Sequence, residues 1–265
     1  MLYINGTMTK KKQNQYFSKT IEKGFKILSL FLGEKTRLSR IEISKLTGIN
    51  MTSTYRFIDT LVTLNYLRKD PQTKLLELGP SAFVMGHSFV RNFSIRNAIK
   101  PFLDQFYDEN KISVDSAVFY EKTLLVLYRR SSRQIVSYKI PTMARNLFHC
   151  SSLGKAILAW LPIKERDSFI ETLKLERQTQ NTITSKTKLI EELELSLIKG
   201  YVVTNEELLP GLISIGVPIL NTIENRPIGA VSLDFSTVKH TVEKIQEDHV
   251  DSLIQLANQI STSIY

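Results

Sequence analysis

Two short helical patterns hinged on one glycine, followed by two strand-like runs, occupy residues 39–77 and constrain this chain more than any other segment. Ser39 can accept the amide three residues on while Glu42 reaches back to it, the capping-box pattern that starts a helix, here running to about Leu46. Gly48 supplies a left-handed turn that residues with a Cβ reach only at a steric cost. Asn50 then caps a further helix through about Leu64. Upstream, Ile21, Phe25, Ile27, Leu28, Phe31 and Leu32 recur at helical spacing over residues 19–32, with Gly33 as the stop. Downstream, residues 66–69 and 74–77 read as a hairpin joined by Asp70, Pro71, Gln72 and Thr73. This order predicts a winged helix-turn-helix over residues 18–79.

The charge distribution gives that module a partner. Residues 1–80 hold 14 Lys+Arg against 6 Asp+Glu, so +8 of the net +9 lies there, and the remainder of the chain is nearly neutral. A folded segment so basic is the footprint of a surface that displaces counterions from phosphates. On the third helix Thr54, Phe57, Ile58 and Leu61 share one face and must pack inward, whereas Met51, Thr52, Ser53, Tyr55, Arg56 and Asp59 lie opposite. Short hydroxyls at a helix N-terminus bond phosphates or base edges, and Arg56, one turn after Thr52, reaches a phosphate or a guanine edge. The expected DNA-contacting set is Ser39, Asn50, Met51, Thr52, Ser53, Tyr55 and Arg56, with Lys69 and Lys74 at the hairpin tip. The bland reading of the same pattern is a three-helix bundle with a solvated basic face. That reading explains the periodicity and leaves the basic excess unexplained.

Other classes are disfavoured by composition. No apolar run reaches the ~18 residues of a membrane span, and the Lys-rich start lacks the apolar core of a signal peptide. One cysteine, Cys150, allows no internal disulfide and no cysteine-cluster metal site. His87, His149, His240 and His249 lack metal-ligand spacing. These points lead to an expectation of a cytoplasmic protein without cofactor or metal. Residues 1–17 read as a flexible basic arm and residues 80–94 as a linker helix.

From residue 95 onward the pattern is α+β. A helix over 95–109 precedes strands over 113–120 and 123–128, connected by Glu121 and Lys122, and a further strand over 135–140. Residues 148–159 read as a strand end running into a helix, followed by a helix at 185–199, a hairpin of 213–220 with 227–234, and a closing helix over 241–260.

Several segments in one order carry a resemblance. Residues 47–56 and 76–80, Gly154-Lys155-Ala156 after His149, the Gly200-Tyr201 to Glu206-Glu207 stretch and Gly211-Leu212 to Pro218 are together similar to the IclR family of bacterial transcription regulators, from about Lys19 to the C-terminus. The resemblance implies a winged helix-turn-helix joined by a helix to a GAF-like domain at 95–265, an antiparallel sheet with flanking helices that holds a small effector. It also implies homodimers or homotetramers on pseudo-palindromic double-stranded DNA. The implied effector site matches Ser152, Leu153 and Gly154, whose amides can cradle a carboxylate, together with Thr204, Ser214, Ser232 and Asp234. Thr204 stands where the family carries an acid, Ser214 where it carries a Cys, and Asp234 where a small or hydroxyl residue is common, which leaves a carboxylate or a sugar-derived effector open. Asp234 also fits a cap for the following turn.

Two competing functions are weighed. A nucleophile built from His149, Cys150, Ser151 and Ser152 lacks the Gly-x-Ser-x-Gly elbow, and adjacent residues on a strand point to opposite faces. An architectural DNA-binding protein that senses nothing would need only the basic module and a dimer surface, far less than the 171 residues that follow.

Overall fold

The computed structural model describes residues 16–32, 35–92, 94–132, 143–144 and 147–264. The expectations for residues 1–15, for the Gly33 stop and for a strand over 135–140 lie outside them. The chain divides into two compact units, Met1–Asn92 and Phe93–Tyr265.

In the first unit Ser18 caps helix α1 (Lys19–Ser29), which tightens into a 3-10 turn over Leu30–Leu32. Helix α2 (Arg40–Thr47) begins with a complete capping box: Ser39 Oγ accepts from the Glu42 amide and Glu42 Oε2 accepts from the Ser39 amide at 2.9 Å. It ends on Gly48, left-handed at φ 71°, whose amide donates to the Ser44 carbonyl. Asn50 Oδ1 accepts the Ser53 amide at 2.9 Å and opens α3 (Met51–Thr63). Ile27, Phe31, Leu38, Ile43, Ile49, Ile58, Leu67 and Leu76 form the shared core. Strands β1 (Leu67–Lys69) and β2 (Leu76–Leu78) pair antiparallel with Leu67 opposite Leu78, and Leu38 bridges to Leu76 from the other side. The wing turn is wider than the hairpin expected, because Asp70 Oδ1 accepts the amides of Gln72 and Thr73 at 2.9 and 2.7 Å and Lys74 takes φ 60°. Helix α4 (Pro80–Asn92) completes the unit.

The second unit runs α5 (Ser94–Asn110), β3 (Ser113–Tyr120), β4 (Thr123–Arg130), β5 (Met143–Ala144), α6 (Ser152–Trp160), α7 (Ile163–Thr172), α8 (Lys186–Lys199), β6 (Val202–Asn205), β7 (Leu212–Asn221), β8 (Arg226–Ser236) and α9 (Val242–Ser263). The sheet order is β5-β4-β3-β8-β7-β6, and every recorded pairing is antiparallel. Strand residues alternate between two cores. Val114, Ile213, Ile215, Val231 and Leu233 face α5 and α9, whereas Ala117, Leu124, Val202 and Ala230 face α6 and α8.

Residues 148–150 form a turn, not a strand end, because the Cys150 and Ser151 amides both fold back onto the Leu147 carbonyl. Helix α7 was not foreseen: it carries few apolar residues, and its inward face is completed by Arg166, buried and paired with Asp167 at 2.8 Å and Glu194 at 3.3 Å.

Glycines set how closely α6 approaches its surroundings. A Cβ on Gly154 would lie 2.5 Å from the Phe148 Cα, and one on Gly216 would lie 2.7 Å from the Ser152 carbonyl oxygen. Both neighbours are backbone and cannot swing aside. Gly154→Ala should therefore lower unfolding stability by about 2 kcal/mol, as overpacking does. Gly24→Ala, with nothing within 4 Å of the new carbon, should leave it equal or higher. Urea unfolding of the two variants beside wild type checks this, and equal midpoints for Gly154→Ala and wild type would contradict the close approach.

Candidate functional site

On α3, Met51, Thr52, Tyr55, Arg56 and Asp59 are exposed and Ser53 half-buried, while Thr54 and Ile58 are buried. Thr54 is held inside by donating its hydroxyl to the Ile49 carbonyl at 3.2 Å. Arg56 makes no ion pair or side-chain hydrogen bond among the described residues, nor do exposed Lys45 and Lys69. Other basic residues are spoken for. Arg37 and Arg68 both donate to Glu77, at 3.0 and 2.8 Å from their Nε atoms, and the pull of Arg68 first and Arg37 second holds the Glu77 carboxyl below its usual range. Lys74 Nζ donates to the Pro71 carbonyl at 2.6 Å, bracing the turn. Ser39 and Asn50 spend their side chains on helix caps, so the structure gives both a local structural task.

In the second unit, register builds a polar face that no single segment displays. Asp115 on β3 stands opposite Arg129 on β4 and Ser232 on β8, and Ser232 is opposite Gly216 on β7. In the next row Ser113, Asp234, Ser214 and Thr204 follow one another across β3, β8, β7 and β6. Directly opposed residues share a face, and Gly216 shows which one: it touches Ser152, so both rows lie under the N-terminus of α6. Four of the predicted pocket residues, Thr204, Ser214, Ser232 and Asp234, are thereby brought together with Ser152.

Asp234 is drawn into the polar rows. Its Oδ1 accepts from Ser214 Oγ at 2.6 Å and its Oδ2 lies 3.7 Å from an Arg129 nitrogen. Arg129 also grips Asp115 through both its Nε, at 2.6 Å, and a terminal nitrogen. Asp115 is only 1% exposed, and burial together with the Asp234 carboxylate pushes it up to about 8 against the pull of Arg129. The two-point grip of Arg129 counters that push, because a fork on both oxygens favours the carboxylate form of Asp115. Asp115 and Arg129 were missed in the sequence, where they look like ordinary alternating polar positions.

The α6 N-terminus is partly used already. Ser151 caps it, accepting the Gly154 amide at 3.1 Å and donating to the Leu147 carbonyl at 2.6 Å, so Gly154 serves close packing and is not a free cradle amide. Leu153 is buried in the core beneath. The amides of Ser152 and Leu153 remain without an intrahelical acceptor. His149 bonds the Glu176 carbonyl through Nε2 at 3.0 Å, and burial raises the Cys150 thiol to about 12, leaving it protonated and unreactive. That replaces the strand geometry assumed for the nucleophile reading with a turn and removes Cys150 from it as a nucleophile. Among the described residues, no cluster of three or more His, Cys, Asp or Glu could hold a metal, and no helix is long and apolar enough to cross a membrane. A depression of about 430 Å³ lies elsewhere, along α9 between Asp251 and Thr262, but it lines one helix only and gathers no paired charges.

Beside the polar face, Lys155 on α6 is 0% exposed, with its ammonium 2.7 Å from both Glu207 oxygens and 2.5 Å from Glu192. Burial lifts Glu207 to about 7 although Lys155 draws it down. Because the folded value exceeds the unfolded 4.5, this group favours the fold below about pH 4.5, and that contribution is lost as pH rises through 7. Removing Lys155 deletes the favourable partner. Lys155→Met should cost about 3–5 kcal/mol at pH 8 and clearly less near pH 5, where Glu207 takes up a proton. Urea titrations at both pH values decide it, a small or pH-independent cost counting against a buried ionic clamp.

Comparison with known proteins agrees with this architecture. The model for the bacterial transcriptional regulator IclR C-terminal domain matches residues 87–262, and that for the IclR helix-turn-helix domain matches residues 20–71. Among curated proteins, the regulator BhcR of Paracoccus denitrificans is 24% identical over 92% of this chain and 86% of its own length. KdgR of Escherichia coli is 25% identical over 88% of both chains. The Thermotoga maritima IclR crystal structure superposes with TM-score 0.70 at 26% identity, covering 92% of this chain and 98% of that one. An IclR homolog from Microbacterium hydrocarbonoxydans complexed with 4-hydroxybenzoate has the same fold, at TM-score 0.75 and 21% identity over 92% and 98%.

Proposed function

Because the chain belongs to the IclR family of bacterial transcriptional regulators, we propose that it binds a specific DNA operator through the outer face of α3 and the wing, and that a small effector held on the polar sheet face beneath α6 modulates that binding. The observation that carries the DNA half is Arg56: an exposed guanidinium without an ion pair among the described residues, one turn from the hydroxyl of Thr52 and beside Tyr55. The effector half is supported by the convergence of Thr204, Ser214, Ser232, Asp234, Asp115 and Arg129 under the α6 N-terminus. Buried polar groups cost stability unless they are hydrogen-bonded, and a few that converge on one place are the usual mark of a ligand site.

The effector is a small carboxylate or a sugar-derived compound, and the 4-hydroxybenzoate bound by the Microbacterium relative is a natural first member of a test panel. The working unit is a homodimer or homotetramer on a pseudo-palindromic site. Ile21 and Phe25, one helical turn apart on α1 and exposed, with exposed Phe17 just before the helix, support pairing of two copies. The effector alters DNA occupancy by binding unequally to two arrangements of the protein.

Titration of the chain against DNA from upstream of its own gene and against random DNA, at ~0.15 M salt, tests the assignment. Preference for the upstream DNA is expected, and equal tight binding to both would instead indicate an architectural protein. Arg56→Ala should weaken operator binding by about 1–3 kcal/mol. An unchanged footprint and affinity would remove α3 as the reading element. Asp234→Asn should shift the effector concentration that changes DNA affinity while leaving effector-free affinity within about twofold, since the side chain belongs to the second unit. A dose response identical to wild type would take Asp234 out of the site.

A further inference from the structure

We propose that Arg40 is a positioning residue for base recognition, which clamps Tyr55 in a fixed pose without itself touching DNA. The inference rests on the reading of α3 as the recognition helix.

Arg40 is the first residue of α2, so the capping box of Ser39 and Glu42 fixes where its side chain departs. From there the guanidinium carbon lies 4.6 Å over the centroid of the Tyr55 ring, and a terminal nitrogen donates to Asp59 Oδ1 at 2.9 Å. Tyr55 and Asp59 are four residues apart and share one strip of α3. The Arg40 side chain is 24% exposed, in contrast to exposed Arg56 nearby, and its Nε is buried with no acceptor. An orphaned buried donor costs stability. A lysine would keep the ion pair with Asp59 and bury no such donor; what arginine alone adds is a flat cation stacked on the ring.

Two consequences separate this role from a phosphate contact. Asp59 already neutralises Arg40, so the pair adds no net charge with which to displace counterions. The stack immobilises the Tyr55 ring before DNA arrives, and the ordering cost of that side chain no longer falls on the binding step. Loss of the clamp should therefore blur which base Tyr55 prefers and leave the phosphate count alone.

The test uses the full chain in wild-type, Arg40→Lys, Arg40→Met, Tyr55→Ala and Arg56→Ala forms. Wild-type protein selects a preferred duplex from a random-sequence pool. Each variant is then titrated against that duplex and its single-base substitutions at several salt concentrations. Both Arg40 variants should lose ~10-fold of discrimination, the scale of one specific contact, at the base pairs whose preference Tyr55→Ala also removes. The slope of log affinity against log salt should match wild type, and Arg40→Met should add little to Tyr55→Ala in the double variant. Arg40→Lys keeps the charge and the Asp59 pair, so it carries the test if Arg40→Met folds poorly by thermal unfolding. A slope shallower by about 0.9 in Arg40→Met alone, with base preferences intact, would make Arg40 a phosphate contact and overturn the proposal. So would an Arg40→Lys profile equal to wild type while Arg56→Ala is impaired. If wild-type protein selects no sequence at all, the recognition-helix reading itself falls, and the clamp with it.

Discussion

Taking an ammonium group wholly out of water costs several kcal/mol, and Lys155 bears that cost at the centre of the second unit. The three donors are answered by Glu207 with both oxygens and by Glu192. Because these partners lie 52 and 37 residues away, one side chain ties α6 to α8 and to the loop after β6. The same loop is fastened again from outside, where Thr182 and Thr179 donate to the carbonyls of Glu207 and Glu206 at 2.7 and 2.5 Å. Glu176, at the head of that segment, meets His149 in the turn before α6. The chain of contacts thus closes on itself around the α6 N-terminus, and sliding the helix would break several buried bonds together.

That fixed helix gives the polar sheet rows their meaning. Gly216 lets the Ser152 carbonyl approach the sheet, so the first turn of α6 lies over Ser232 and its neighbours. Beneath it, one guanidinium serves two carboxylates, Asp115 tightly and Asp234 at longer range. A ligand entering this network exchanges hydrogen bonds rather than adding them, so its affinity measures how well it replaces partners already present. Hydroxyl donors suit an acceptor such as Asp234, and an anion suits the helix amides of Ser152 and Leu153. For the proposed effector, a hydroxylated acid would satisfy both ends.

The first unit was legible because its boundaries are closed locally. Ser39 with Glu42, Gly48, and Asn50 with Ser53 each complete a hydrogen bond within a few residues, so the sequence carries both partners side by side. The wing was harder: Asp70 widened its turn, so β2 starts two residues later than the expected run. In the second unit the strands were readable from β-branched and aromatic residues, and Glu121 and Lys122 do form the tight connection, at φ 45° and 59°. What joins them was not readable. Asp115 meets Arg129 and Asp234 only through the register of three strands, and Lys155 meets Glu207 across 52 residues, so neither leaves a periodic trace. Helix α7 escaped for a related reason, since a charged residue, Arg166, occupies an inward position where periodicity expects an apolar one.

The basic excess of the first unit overstates the charge available to DNA. Arg37 and Arg68 are drawn onto Glu77, Arg40 onto Asp59 and Lys35 onto Glu42, while Lys26 donates to the Thr47 carbonyl at the end of α2. Several of these pairs are exposed and individually weak, yet they set where each side chain points in the free protein. Among the described residues, Lys45, Arg56 and Lys69 on or near α3 and the wing lack such a tether, as does Lys23 beside the turn before α3. A small set of free cations supplies attraction to any duplex with little means of telling one from another. With α3 proposed as the recognition helix, discrimination falls to side chains whose poses are set in advance by their neighbours, such as Tyr55 beneath the Arg40 guanidinium from the first turn of α2.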